Sequence, residues 1–240
     1  MYIQNDNEFK NALSQCSPNI VTFLNGLNNG TAEYVDFVGL RNSGLIMSDG
    51  TLWRVVESQR TYKKQAEYFE QGRKFKKSVD VDITGKGQKY NYNNIEVKNK
   101  TSIVTNKLPG TSKHNYGLAV DLVFRKIGYE IEQDFIYNDE VYTKGDLDKF
   151  YVNCGLLFWA SACGLFWGGN WSDFRDVVHF EEKNIDVPKN AKERYSNEMG
   201  FDKLNIQTTT NNNSNNSNSN KNLLPFIIVI GSILFIANKK

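Results

Sequence analysis

The sequence predicts a globular domain that mixes helices and strands, followed by a tail of different composition. Hydrophobic residues make up 40% of the chain and aromatic residues 13%, which is enough for an ordered core. Helical patterns near the N-terminus give way to the two-residue alternation of a strand in the stretch GLAVDLVF. An asparagine- and serine-rich stretch begins near residue 207, so residues 1–200 have the size of one domain.

The first elements are predicted to be two scaffold helices. Asn5 or Asp6 can cap a helix over NEFKNALSQC. Ser17 and Pro18 form a cap and first-turn pair for a second helix that ends near Gly26.

A strand, a helix and a polar insertion are predicted next. TLWRVVESQRT is rich in β-forming residues, and YKKQAEYFEQGRK is an amphipathic helix that Gly72 stops. The polar segment from Lys74 to Asn106 is either an inserted loop or a hairpin.

The stretch TSKHNYGLAVDLVF places a histidine before a turn and an aspartate on the strand that follows. Asn115, Tyr116 and Gly117 do not favour a continuous helix, so His114 precedes a turn and Asp121 lies on one strand face. Beyond it, IGYEIEQDFIYNDEVYTKGD is predicted to be turn and loop, and LDKFYVNCGLLFWASACG one apolar helix. The strand-like HFE follows within LFWGGNWSDFRDVVHFEEK.

Charge and cysteine content exclude several classes of protein. The 29 basic and 27 acidic residues leave a net charge of +2, which gives no electrostatic footprint for nucleic acid. Cys16, Cys154 and Cys163 lack the spacing of a disulfide framework or a cysteine zinc site, so we expect buried thiols. The N-terminus shows no secretory signal.

The tail changes character twice. Residues 207–222, which include TTTNNNSNNSNSNKN, predict a disordered linker. Residues 223–237, LLPFIIVIGSILFIA, form an uncharged apolar run that would reach only about 22 Å as a helix, against roughly 30 Å of hydrocarbon. We expect this segment to insert into a lipid bilayer, and the alternatives are a partner-binding helix or a segment docked on another protein.

The two histidines of the chain each have a carboxylate close by in sequence. Asp121 follows His114 by seven residues, and Asp176 precedes His179 by three. Two imidazoles and one carboxylate suit a catalytic Zn²⁺, because they leave the fourth tetrahedral position to water. A further carboxylate can then move the proton from water to the leaving amine.

Longer strings carry a more specific signal. SKHNYGLAVD and WGGNWSDFRDVVHFE, together with SQRTYKKQAEYFEQGR, resemble the M15 zinc D-alanyl-D-alanine peptidase family. The resemblance is strongest to its subgroup of phage endolysins and L-alanyl-D-glutamate peptidases, and it extends from about Trp53 to Glu181, within a core of residues 50–185. It implies a small α+β domain of the hedgehog and D-Ala-D-Ala peptidase type, an antiparallel sheet with helices packed on one side.

The resemblance also implies a role for each matching residue. It implies one Zn²⁺ held by His114, Asp121 and His179, with Asp176 as general base and acid. Arg60 would bind substrate and steady the developing oxyanion.

Weaker matches and departures qualify this assignment. Ser112 and Gln65 would orient the substrate or the loop, although a turn hydroxyl and a solvated helix amide are equally open. Many relatives have glutamate where this chain has Asp176, which favours the endopeptidase branch but shortens the reach of the base. Glu181 could replace Asp176 as the base, but its offset on a strand favours a supporting role.

We therefore expect a zinc peptidase that cuts the peptide stems of bacterial peptidoglycan, at the L-Ala-D-Glu bond. The alternatives are a D,D-carboxypeptidase or dipeptidase on the same scaffold, or a non-catalytic, membrane-tethered wall-binding protein. The expected partners are peptidoglycan stem peptides and a lipid bilayer. The expected location is at a membrane, through the C-terminal segment, with the catalytic domain acting on the cell wall.

Overall fold

The structure, a computed structural model, describes residues 1–81 and 88–188, so the linker and apolar segment predicted for 207–237 lie outside the described residues. Its helices and strands follow in chain order: α1 (Asn7–Gln15), α2 (Pro18–Asn29), α3 (Phe37–Asn42), β1 (Trp53–Glu57), α4 (Tyr62–Glu70), β2 (Arg73–Val81), β3 (Gln88–Val97), β4 (Ala119–Phe124), β5 (Phe135–Tyr137), β6 (Glu140–Tyr142), α5 (Leu147–Asn153), α6 (Leu156–Ala162), β7 (Leu165–Trp167) and β8 (His179–Glu182). Short 3₁₀ turns cover Lys100–Ser102, Lys113–Tyr116 and Gly168–Asn170.

The central sheet has four antiparallel strands in the order β1-β4-β8-β7. Strand β4 lies inside the sheet and is buried along its whole length. Its residues Val120, Leu122 and Phe124 belong to the main core, which they share with apolar side chains of α1 and α2. Asp121 alternates with these residues and so lies on the opposite face of the pleated strand. The predicted α+β class with a small antiparallel sheet is confirmed.

The N-terminal helices begin at the predicted caps. The Asp6 carboxylate accepts the Phe9 backbone N–H at 3.0 Å. The second helix, capped by Ser17, ends at Gly30 in the left-handed region, four residues beyond the expected end at Gly26. Gly26 is there for packing, because a Cβ at this position would lie 2.4 Å from the ring of Trp159.

The polar insertion forms a hairpin, one of the two forms that the sequence left open. Strands β2 and β3 pair in antiparallel register, with a bulge between Lys74 and Lys76. Tyr90 and Tyr92 of β3 pack on α4 in a small separate core with Phe69. The hairpin is therefore attached to the helix that follows β1.

Two predictions for residues 127–164 are wrong. The expected loop contains a short hairpin, β5–β6, whose turn residues Asn138 and Asp139 have φ angles of 49° and 60°. Positive φ at both central residues is the requirement of a type I′ hairpin turn. The expected single apolar helix is two helices, α5 and α6, separated by Gly155 with φ of 83°. A Cβ there would lie 1.8 Å from the backbone oxygen of Tyr34, so only glycine fits.

The three cysteines are free thiols, but the expected burial holds only for Cys154, because Cys16 and Cys163 are partly exposed. Burial raises the pKa of Cys16 and of Cys154 to about 12 and that of Cys163 to about 11. Such thiols stay protonated at neutral pH and are poor nucleophiles. Within residues 1–81 and 88–188, none of the helices has the length and apolar character needed to cross a bilayer.

Candidate metal centre

Two strands and one 3₁₀ turn bring His114, Asp121 and His179 together. His114 lies on the turn Lys113–Tyr116, and Gly117, with φ of 66°, then leads the chain into β4. Only glycine fits there, since a Cβ would lie 2.2 Å from the backbone oxygen of Gln15. Asp121 pairs across the sheet with His179, the first residue of β8. The spacing of seven residues thus lets a turn and a strand place both side chains at one point.

The three side chains present their ligand atoms to a common point. His114 Nε2 lies 3.1 Å from His179 Nδ1, and Asp121 Oδ1 lies 3.2 Å and 3.0 Å from these two nitrogens. In a tetrahedral zinc site with bonds of about 2.0–2.1 Å, neighbouring ligand atoms are about 3.3–3.4 Å apart. The triangle is therefore close to the size needed for one metal ion, and two imidazole nitrogens and one carboxylate oxygen are ligand types that zinc accepts.

The remaining ring nitrogens of both histidines have partners that fix their orientation. His114 Nδ1 lies 2.8 Å from the backbone carbonyl of Ser58, which can only accept a hydrogen bond. This leaves the lone pair of His114 on Nε2. His179 Nε2 lies 3.1 Å from the carboxylate of Glu181, which leaves Nδ1 as the ligand atom. Such outer hydrogen bonds orient metal-ligating imidazoles and raise their basicity.

The electrostatics of the metal-free site favour a cation at its centre. Burial opposes ionisation of Asp121, but the charges and hydrogen bonds of His114 and His179 outweigh it and hold its pKa well below the usual range. Burial alone would lower the pKa of His179, yet hydrogen bonds to Asp121 and Glu181 raise it to about 9. A bound metal ion would replace that proton with a larger positive charge.

Asp176 lies beside the three candidate ligands without being part of the group that could hold a metal ion. The segment that carries it is held close to Gly168, whose backbone carbonyl accepts a hydrogen bond from the Asp176 N–H at 3.1 Å. A Cβ atom at Gly168 would lie 2.6 Å from the backbone oxygen of Asp176, so the approach requires glycine. Its side chain lines the same cavity as His114 and His179. Burial, and then the negative charge of Asp121, raise the pKa of Asp176. A carboxyl group with a raised pKa suits proton transfer near neutral pH.

Arg60 faces the cavity from the end of β1. Its guanidinium forms an ion pair with Glu57, donates to Gln65 Oε1 at 2.7 Å and lies 3.9 Å from Asp121 Oδ2. Its Cζ atom lies over the ring of Tyr68, 4.7 Å from the ring centroid. These contacts fix the side chain next to Asp121, a candidate metal ligand.

Ser112 and Gln65 occupy different places relative to the cavity. Ser112 is buried and lines it, immediately before the turn that carries His114. Gln65 is fully buried and does not line it, because its amide is bonded to Arg60 and donates to the Lys107 carbonyl at 2.7 Å. The alternative of a solvated helix amide is therefore wrong for Gln65, whose contacts with Arg60 and Lys107 are compatible with the predicted role in orienting the loop.

The structure adds residues that the sequence did not single out. Lys113 lies 3.2 Å from Glu181 and also donates to the Glu182 carbonyl, so it holds the acid behind His179 in place. The Trp171 ring packs against the His179 ring with 4.9 Å between centroids, and the two ring planes are tilted by 44°. The sequence signals for them are weak: Lys113 directly precedes His114, and Trp171 lies within the string WGGNWSDFRDVVHFE that ends just after His179.

The cavity in front of these residues has a volume of about 660 Å³. Arg60, Lys107, Ser112, His114, Trp171 and Asp176 are among the residues that line it. This size falls within the usual range of small-molecule and peptide sites, roughly 300–1,000 Å³.

Comparison with known proteins shows what the chain around this site is similar to. Residues 105–182 match the M15 peptidase model described as D-alanyl-D-alanine carboxypeptidase. The peptidoglycan L-alanyl-D-glutamate endopeptidase CwlK of Bacillus subtilis is 31% identical over 128 residues, 53% of this chain and 58% of CwlK. The chain thus spans less than two thirds of the length of that relative. The crystal structure of the L-Ala D-Glu endopeptidase ChiX of Serratia marcescens covers 73% of this chain and 86% of its own, at 19% identity and a TM-score of 0.34.

The segment matched by the family model contains all three candidate ligands and the candidate base. The metal-sized triangle of His114, Asp121 and His179 agrees with a family of metallopeptidases. The similarity to the M15 peptidase family thus covers residues 105–182, about a third of the chain.

Proposed function

We propose that this chain is a zinc peptidase that cuts peptide stems of bacterial peptidoglycan, as an L-alanyl-D-glutamate endopeptidase. The observation that carries the proposal is the buried triangle of ligand atoms, 3.0–3.2 Å apart, at the edge of an open cavity. The substrate class is taken from CwlK, whose name describes this activity.

Zinc is the metal we propose, because two imidazole nitrogens and one carboxylate with an open position are a typical catalytic zinc set. His114, Asp121 and His179 would hold it. Bound zinc would polarise the scissile carbonyl and lower the pKa of a water molecule to about 7.

Asp176 would move the proton during hydrolysis. Its carboxylate lines the cavity beside His179, where it can take a proton from the attacking water. Its raised pKa lets the same group pass the proton to the leaving amine near neutral pH. One residue can therefore serve first as base and then as acid.

Arg60 would stabilise the negative charge that develops on the carbonyl oxygen. Its guanidinium is held 3.9 Å from Asp121 by Glu57 and Gln65, so its position is fixed before substrate binds. A preorganised charge in a buried site stabilises a transition state without reorganisation at the moment of reaction.

A second candidate is a D,D-carboxypeptidase or dipeptidase, which the description of the matching family model favours. The two activities release different products from the same stem. An endopeptidase would separate alanine from glutamate and leave the terminal D-alanines in place.

Mass spectrometry of purified muropeptides after digestion tests the proposal. We expect products cut between alanine and glutamate, which disappear on chelation and return with Zn²⁺. The His114→Ala protein, which lacks a ligand, is the control for contaminating activity. Release of terminal D-alanine alone would instead establish the second candidate.

We also propose that residues 223–237 hold the enzyme at a lipid bilayer, so that it acts on nearby cell wall. The support is the uncharged apolar composition of this segment and its separation from the domain by the polar residues 207–222. A linker of this kind behaves as a flexible coil of roughly 5–6 Å times the square root of its length, a tether of a few tens of ångströms.

A further inference from the structure

We propose that Lys107 binds the free carboxylate of the glutamate that follows the scissile bond, and so sets the substrate preference of the enzyme. The inference rests on the proposed endopeptidase function. It comes from the distribution of positive charge around the cavity.

Three lysine and arginine side chains line the cavity, and two of them already face carboxylates. Arg60 is paired with Glu57, and Lys113 with Glu181. Both are largely buried, with 8% and 14% of their side chains exposed. Their charges are therefore largely balanced within the protein before a substrate arrives.

Lys107 is different, because its ammonium group has no carboxylate partner within the part of the chain that the structure describes. Its side chain is exposed and lines the cavity from the side of the loop 104–107. A cation without an internal partner remains available to an anionic ligand.

The backbone of Lys107 is nevertheless fixed. Its N–H donates to Thr105 Oγ1 at 3.1 Å, and its carbonyl accepts from Gln65 Nε2 at 2.7 Å. Gln65 also binds Arg60, so one buried amide sets the loop and the catalytic arginine relative to each other. The side chain of Lys107 thus starts from a defined point at the rim of the cavity, which limits the entropy lost on binding.

The proposed substrate supplies a matching anion. Glutamate has two carboxyl groups, and a peptide chain that continues through one of them leaves the other free and ionised at neutral pH. Because the same residue contributes the nitrogen of the scissile amide, this carboxylate lies only a few covalent bonds from the amide that is cut. A lysine at the cavity rim can reach such a group as a point charge.

The test compares two synthetic stem peptides that differ only at this glutamate, one with the free carboxylate and one with its primary amide. Zinc-loaded wild-type protein should cleave the acid with a kcat/KM roughly tenfold or more above that of the amide, the usual weight of a charge-assisted hydrogen bond. Lys107→Gln should cleave both peptides with the kcat/KM that the wild type shows for the amide peptide. Lys107→Arg should keep the preference for the acid peptide. Lys63→Gln, which removes another exposed charge outside the cavity, is the matched control and should behave as wild type.

Each other outcome overturns a defined part of the reasoning. Equal cleavage of both peptides by wild type, or a preference that survives in Lys107→Gln, overturns the role of Lys107 and leaves the endopeptidase function standing. An equal loss on both peptides in Lys107→Gln also overturns it, because the residue would then support the fold rather than read a charge. Cleavage of neither peptide by zinc-loaded wild type overturns the proposed function and this inference with it.

Discussion

Replacing Asp176 by asparagine should separate proton transfer from metal binding. The two side chains have the same size, and the carboxylate of Asp176 lies outside the triangle formed by the three ligand atoms. We therefore expect the Asp176→Asn protein to retain about one zinc per chain and its fold. An amide cannot take up the proton of the attacking water, so turnover should fall.

The size of the loss follows from the position of this group. General acid–base catalysis by one positioned residue is worth about 10²–10⁴ in rate, or about 2.7–5.5 kcal/mol of barrier. Burial and the Asp121 charge bring the pKa of Asp176 closer to neutral, and the residue serves both proton transfers in the proposed mechanism. We expect a loss of at least about 10²-fold in kcat. As pH decreases, the activity of the wild type should begin to fall at a higher pH than it would if the base were an ordinary carboxyl group with a pKa of about 4.

Steady-state kinetics on a stem peptide, together with zinc determination by atomic emission, would measure both quantities. Asp173→Asn is the matched control, because Asp173 is an exposed carboxylate that lines the same cavity three residues earlier. It should keep nearly full activity. Loss of zinc from Asp176→Asn would mean that a ligand has been misassigned. If Glu181→Gln abolished turnover while Asp176→Asn did not, the two acids would have to exchange roles.

Four further predictions concern the metal, the fold and the tail. Glu181→Gln should weaken zinc binding about 10- to 100-fold in a chelator competition, because it removes the charge behind His179, and unchanged affinity would contradict this. In metal-free protein, the protonated form of His179 stabilises the fold fully at pH values below the pKa of free histidine, about 6.5, and this stabilisation is lost as pH rises through about 9. The Tm of metal-free protein should therefore fall between these two pH values. Zinc should abolish this fall. Gly155→Ala should destabilise the protein in urea by more than Gly128→Ala, where only the left-handed cost of about 1–2 kcal/mol applies because no atom lies within 4 Å of the added Cβ; equal losses would refute the clash with Tyr34. Removing residues from Thr208 onward should leave the domain folded and active on dissolved muropeptides but absent from the membrane fraction, and unfolding of the truncated protein would make the tail part of the fold.

The candidate metal ligands could be predicted because local strings carry most of their geometry. The alternation in GLAVDLVF placed Asp121 on a strand, and the glycine before it required the turn that holds His114. Strand pairing then sets Asp121 opposite His179, a contact between residues 58 positions apart that periodicity alone does not contain. The prediction that Asp121 and His179 act together came from the resemblance of SKHNYGLAVD and WGGNWSDFRDVVHFE to the M15 family.

The supporting residues could not be predicted, because they act through contacts that no local pattern contains. The Ser58 carbonyl and Lys113 lie near motif residues in sequence, but their partners, His114 and Glu181, lie on a different turn and a different strand. The predicted helix ends were wrong for a related reason. Gly26 and Gly155 both invite a helix end, yet one permits close packing against Trp159 and the other does interrupt the helix.

The position of Asp121 explains why the site needs a cation in every state. A buried carboxylate is costly unless it is paired, and this one lies on an interior strand whose neighbours are apolar. In metal-free protein the proton held by His179 supplies the charge, with Arg60 3.9 Å away. A metal ion bound at the same three atoms would supply it more strongly and release the proton. The residues that shape the sheet and those that would hold the metal are therefore coupled through one buried charge, so metal binding and folding stability should rise and fall together.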